Sequence, residues 1–139
     1  MWWFLLTATC LFICYRDFSK RIVSNNSVLL LCCFLLSAVP IYDAQVYLLN
    51  AVGLLLLGIL LWKFGVFGAG DIKLVCIFAL LVDPDYLLLT FVIVFTLGGI
   101  EALLYILIKK LTPISIVHDG LPFAIPIVFG GMFGIGASI

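Results

Sequence analysis

Two aspartates stand where acids are costly. Asp17 interrupts CYRDFSKR at the end of one apolar run, and Asp71 follows the glycines of FGVFGAGDIKL just before another. Ionisable groups at a membrane boundary tend to face a bundle interior or a wet cavity, where they can do work. Two carboxyls held side by side share a proton, because like charges at that range cannot both ionise. One then serves as general base on water while the other donates to a carbonyl, which hydrolyses a peptide without a covalent intermediate. Gly68 and Gly70 lack a Cβ, so they admit positive φ and close backbone approach, as holding an extended peptide beside the acids requires. Asp71 reads as the N-cap of the helix that follows, whose positive end favours the ionised form. Lys73 is either an orientation and interface residue or a partner for the charge of the dyad.

Other polar residues have plainer readings. Asp17 can be an interfacial charge paired with Arg16 or Arg21, and such surface pairs contribute little. Glu101 falls inside an apolar run, where an acid has a function or a partner, and a protonated acid hydrogen-bonded within the bundle is the favoured reading. His118 beside Asp119 resembles a relay, but a loop histidine is ordinarily solvated. The five cysteines, Cys10, Cys14, Cys32, Cys33 and Cys76, form no CxxC pair and lie within apolar runs, so they read as small apolar packers. Gly130 and Gly134 make a GxxxG pair suited to helix packing.

The elements that position these residues follow from composition. The chain has 139 residues, 66% of them hydrophobic and 10% charged, and a mean hydropathy of +1.40, so its polar side chains cannot cover its apolar ones. This is the composition of an integral membrane protein. A spanning helix needs about 20 mainly apolar residues, and six apolar runs are legible: Trp2–Tyr15, Val28–Ile41, Val46–Trp62, Ile72–Val82, Tyr86–Ile108 and Leu121–Ile139. No linker or low-complexity tract separates them, and no internal repeat is visible. The expected fold is an all-α bundle of six transmembrane helices forming one domain over residues 1–139. The net charge is zero, so no basic surface points to nucleic acid.

Basic residues set the expected orientation. Arg16, Lys20 and Arg21 fall in the first connection, Lys63 and Lys73 flank the third, and Lys109 and Lys110 begin the fifth, whereas Asp43, Asp83 and Asp85 occupy the other side. The positive-inside rule then places both termini outside and connections one, three and five in the cytoplasm. Asp17 and Asp71 thereby share the cytoplasmic face. MWWFLLTATCLF carries no basic segment of the kind that opens a signal peptide, so a cleaved signal is not expected.

At this point the residues carry a resemblance. G-A-G-D-I-K-L at 68–74 resembles the GxGD signature of intramembrane aspartyl proteases, and in particular of the type IV prepilin peptidase family. FSKRIVSN after Asp17 is similar to the family's first-aspartate segment, with Val23-Ser24-Asn25 in the place of an Ile-Pro-Asn tripeptide and no proline. DGLPFAIPIVFGG at 119–131 is similar to the Pro-aromatic stretch that opens the last helix of small members. The resemblance covers essentially the whole chain in motif order and helix count. It implies an endopeptidase of the cytoplasmic membrane that removes the basic leader from prepilins or pseudopilins at the cytoplasmic face, just before the substrate's apolar helix. By carry-over the catalytic residues are Asp17 and Asp71; Gly68, Gly70 and Lys73 are the expected substrate-binding residues on the reading of the turn given above. Longer members add a zinc-bound four-cysteine segment and methylate the new N-terminus. The cysteines here have no such pattern, so no metal, no cofactor and no methyl transfer are expected, and the small tight-adherence (Flp) branch or an archaeal-type relative is the nearer likeness. The implied partners are the prepilin substrate and the lipid bilayer, and oligomeric state is not indicated.

Two other classes remain open on sequence. One is a GxGD protease of signal-peptide-peptidase type, whose YD-type first motif YRDFSK only loosely matches. The other is a non-enzymatic assembly or transport subunit, with Glu101 central and the aspartates as surface features.

Overall fold

The computed structural model describes residues 1–20, 23–65, 67–111 and 123–139, and His118, Asp119 and Arg21 lie outside them. The described residues are helical, with no strand. The helices are α1 (Trp2–Lys20), α2 (Asn25–Leu36), α3 (Ala38–Tyr42), α4 (Leu48–Lys63), α5 (Ala69–Ala79), α6 (Pro84–Leu111) and α7 (Ala124–Ser138). Each expected apolar run contains one helical segment, except that the second is divided. Pro40 divides it: its ring clashes with the carbonyl four residues back, at Leu36, and it has no N–H to donate there, so α2 ends and α3 begins at Ser37. Asn25–Tyr42 is still apolar enough and long enough to cross a bilayer, as is Pro84–Leu111.

Local chemistry sets the helix ends. Ser24 caps α2, its hydroxyl accepting from the Ser27 N–H at 3.3 Å. Gly65, at φ +72°, follows the C-cap of α4, the left-handed position that glycine takes without a Cβ penalty. Asp83 Oδ1 accepts from the Asp85 N–H at 3.0 Å while Pro84 opens α6, whose first N–H would have had no helical partner.

Small residues let the helices close on one another. A Cβ at Gly131 of α7 would lie 2.6 Å from Cδ1 of Phe78 on α5, and one at Gly130 would lie 3.1 Å from the Thr90 carbonyl of α6. On α4, a Cβ at Gly58 would lie 2.6 Å from the Ile72 side chain of α5. α5 is thus enclosed by α2, α4 and α7, while α1 packs on α2 and α7. Leu6, Ile13, Leu31, Leu35, Leu74, Ile127 and Ile135 form the buried core. Outside it, Phe4, Leu49, Leu88 and Leu103 are each at least 69% exposed, an apolar exterior that lipid covers and water would not.

Polar contacts gather at the two ends of this bundle. At one end the Trp2 indole N–H donates to the Phe34 carbonyl and the Ser37 hydroxyl, Tyr47 Oη donates to Asp83 Oδ2 at 2.5 Å, and the Asp83 N–H donates to Ser138 Oγ at 2.9 Å. Trp2, Trp3 and Tyr42 cluster there, with ring centroids 5.0 to 6.5 Å apart, as aromatic residues do at a membrane interface. The candidate acids lie at the other end. About fourteen to fifteen residues of helix separate the two levels along α1 and α7, roughly 22 Å at 1.5 Å per residue.

Candidate active site

Asp17 lies within α1, one turn before its end, and not in the connection beyond it. Leu6, Cys10, Ile13 and Asp17 recur at helical spacing and form the buried stripe of α1, so the register that seats the core also turns Asp17 inward. Asp17 is only 7% exposed. A carboxylate so placed needs a donor, and it has one: Oδ2 accepts from the Ala124 backbone N–H at 3.2 Å. Ala124 is the first residue of α7, whose free N–H groups and positive helix end suit a negative charge. The interfacial ion-pair reading of Asp17 fits neither its burial nor this partner.

Asp71 occupies the first turn of α5. The N-cap is Gly68, not Asp71, and the Asp71 carboxylate reaches back to accept from the Gly68 N–H, as the third helical residue does in a capping box. A Cβ on Gly68 would lie 2.9 Å from Asp71 Oδ2, so the glycine leaves the space the carboxylate uses. Gly68 has φ −73°, and Gly65 is the positive-φ glycine among the described residues. What the motif glycines supply is therefore close approach and not left-handed backbone. At Gly70 the neighbour is Val23, whose Cβ and Cγ2 would both stand 3.1 Å from an added Cβ.

Val23 belongs to the segment after Asp17, so the two acid-bearing motifs dock on each other. Lys73 Nζ donates to Asn25 Oδ1 at 2.7 Å, a second tie between them. Ser24, between these contacts, has φ −73°, within the range a proline ring imposes, so the segment keeps the backbone shape expected of Ile-Pro-Asn while gaining a side-chain cap. These ties bring the acids together. Asp17 lies close enough to Asp71 for its charge to act on that carboxyl.

Ala124, Val23 and Asn25 escaped the reading of the sequence as site residues. No local signal marks Ala124, because its contribution is a backbone N–H whose partner is 107 residues away. For Val23 and Asn25 the signal was their place in the tripeptide beside Asp17. Phe123 continues the wall of this end: its ring meets Phe67 edge-on at 5.7 Å, and a Cβ at Gly98 would lie 2.6 Å from it. Among the described residues no three His, Cys, Asp or Glu side chains gather as a metal site would need.

Neither the curated proteins nor the solved structures provided a match to this chain. The profile of the type IV leader peptidase family does match, over residues 4–103, a span that contains both aspartates, the GAGD turn and the Val23-Ser24-Asn25 segment docked on it. By that match over most of its length, the chain belongs to the type IV leader peptidase family.

Proposed function

We propose that the chain is an aspartyl endopeptidase that cleaves the basic leader from type IV prepilins or pseudopilins, with Asp17 and Asp71 activating a water between them. The observation that carries this reading is the convergence of the two carboxyls, each held by a helix-start N–H, at one end of an apolar bundle. One proton is shared by the pair. The ionised member takes a proton from water as it attacks the scissile carbonyl, and the protonated member donates to the carbonyl oxygen. Collapse of the tetrahedral intermediate expels the amine, which takes up the proton first removed from water, while the proton lent to the carbonyl oxygen returns to its aspartate as the C=O bond reforms, and the dyad is restored.

The site lies at the cytoplasmic face on this reading, in one domain over residues 1–139 crossing the cytoplasmic membrane six times with both termini outside. The distribution of Lys and Arg supports that orientation, as does the separation of the Asp17 end from the Trp2, Tyr47 and Asp83 end. Gly68 and Gly70 keep the approach to the acids narrow, and Lys73 fixes the wall to which substrate binds.

The test is leader removal from a membrane reporter bearing a lysine-containing leader, a glycine and an apolar helix. Asp17→Asn and Asp71→Asn should each lower cleavage by at least about a hundredfold at normal membrane level, because the amide keeps the shape but cannot exchange the proton. Full activity in either variant rejects the dyad.

A further inference from the structure

Each candidate acid accepts from a backbone N–H, and each of those N–H groups belongs to a peptide unit that a phenylalanine begins. Asp71 accepts from Gly68, whose N–H lies in the Phe67–Gly68 peptide, and Asp17 from Ala124, whose N–H lies in the Phe123–Ala124 peptide. A peptide unit is planar and stiff, so the donor follows the Cα of the phenylalanine before it. The two rings meet. Phe67 and Phe123 pack edge to face, with centroids 5.7 Å apart and planes at 89°, the arrangement that ring quadrupoles favour. Phe123 is backed by α6: Gly98 is buried, and a Cβ there would lie 2.6 Å from Cε2 and Cζ of the ring. Phe67 instead borders an open groove of about 290 Å³ between α4, α5 and α6, with Leu61, Ile72 and Phe91. Phe123 is thus the anchored ring and Phe67 the one it steadies.

We propose that Phe67 and Phe123 are positioning residues, a ring contact that fixes the two donor N–H groups relative to each other and so sets the placement of Asp71 and Asp17. The contacts at Val23 and Lys73 join the two acid-bearing segments themselves; the ring pair joins their donors. Neither ring is needed at the reacting atoms, because each acts through the peptide plane that follows it. Loosening the pair leaves both acids present and both motifs docked but lets the donors drift, and a misplacement of about 1 Å can cost about a hundredfold in rate. The inference rests on the peptidase reading and adds to it two residues, of which Phe123 lies beyond residue 103, where the family match ends.

The experiment measures cleavage of the leader reporter by the full-length protein in reconstituted bilayers, with the unfolding temperature recorded for every variant. Phe67→Leu and Phe123→Leu should each lower kcat by about tenfold or more, with KM within about twofold of wild type, since the rings hold the acids and not the substrate. The double variant should fall below the poorer single by no more than about threefold, because the contact is already lost after the first change. Gly98→Ala drives a Cβ into the Phe123 ring from α6, so it should lower kcat likewise, yet cost little in the Phe123→Leu background, where those ring carbons are gone. That variant reads the same contact should Phe67→Leu fail to reach the membrane. Phe129→Leu, on the exposed face of α7, is the control and should leave kcat unchanged. Normal kcat in the leucine variants or in Gly98→Ala overturns the inference and leaves the peptidase reading standing. So do losses that multiply in the double variant, that appear in KM, or that follow the unfolding temperature. A wild type that does not cut the reporter rejects the peptidase reading, and the inference falls with it.

Discussion

Asp17 accepts a hydrogen bond from the backbone N–H of Ala124, so an acid near the end of α1 and the first turn of α7 form one unit across 107 residues of chain. The first turn of α7 thereby joins the acid-bearing end, although it lies beyond residue 103, where the family match ends. Substitutions that shift α7 should be read at Asp17 as well as in stability.

Gly131 is the place to test this. A Cβ there would lie 2.6 to 2.7 Å from ring carbons of Phe78. Gly131→Ala should therefore separate α7 from α5 and destabilise the bundle by about 1–3 kcal/mol, the usual cost of overpacking. Thermal unfolding in detergent measures the loss, and leader cleavage assayed below the midpoint should fall too.

Gly70 separates close approach from backbone freedom. An added side chain meets Val23, and the residue lies in a helical first turn. Gly70→Val should abolish leader removal at a normal membrane level by pushing the Asp71 turn off the segment that follows Asp17. Pulse-chase of leader removal, with membrane amounts measured in parallel, checks it. Normal processing would show that this contact does not position the acid.

Asp83 makes the far end sensitive to acid. Hydrogen bonds from Tyr47 and the Asp85 N–H hold its carboxyl below the ordinary carboxylate value. A group whose folded value is depressed contributes stability that is present above the unfolded value, about 3.9, and is lost as pH falls through the folded one. Wild-type unfolding temperature in detergent should therefore exceed that of Asp83→Asn at pH 5 to 7, and the two should converge near pH 2. A constant difference down to that pH would remove Asp83 ionisation from the account.

Orientation has its own test. Single cysteines at Ser19 and Lys110, in a background without the five native cysteines, should label from the cytoplasm, and those at Asp43 and Asp85 from outside. Labelling of Asp43 and Lys20 positions from one side would contradict the proposed arrangement of six crossings.

The residue types alone determined a good deal. Composition required lipid as the solvent, because so few polar side chains cannot cover so many apolar ones. The apolar runs located the helices, since a chain in a bilayer satisfies its backbone hydrogen bonds within each segment. Asp17 and Asp71 were legible because an acid beside an apolar run is costly enough to need a reason. Even the inward face of Asp17 was present in the spacing of Leu6, Cys10 and Ile13, but a helix apolar on every side conceals its own buried stripe. Tertiary structure alone decided the rest. That Gly68 and not Asp71 caps α5, that Gly70 makes room for Val23, and that Ala124 holds Asp17 depend on which surfaces meet. Contacts between backbone groups and distant side chains leave no pattern in local spacing, because any residue type carries the same N–H and only packing chooses which one faces the acid.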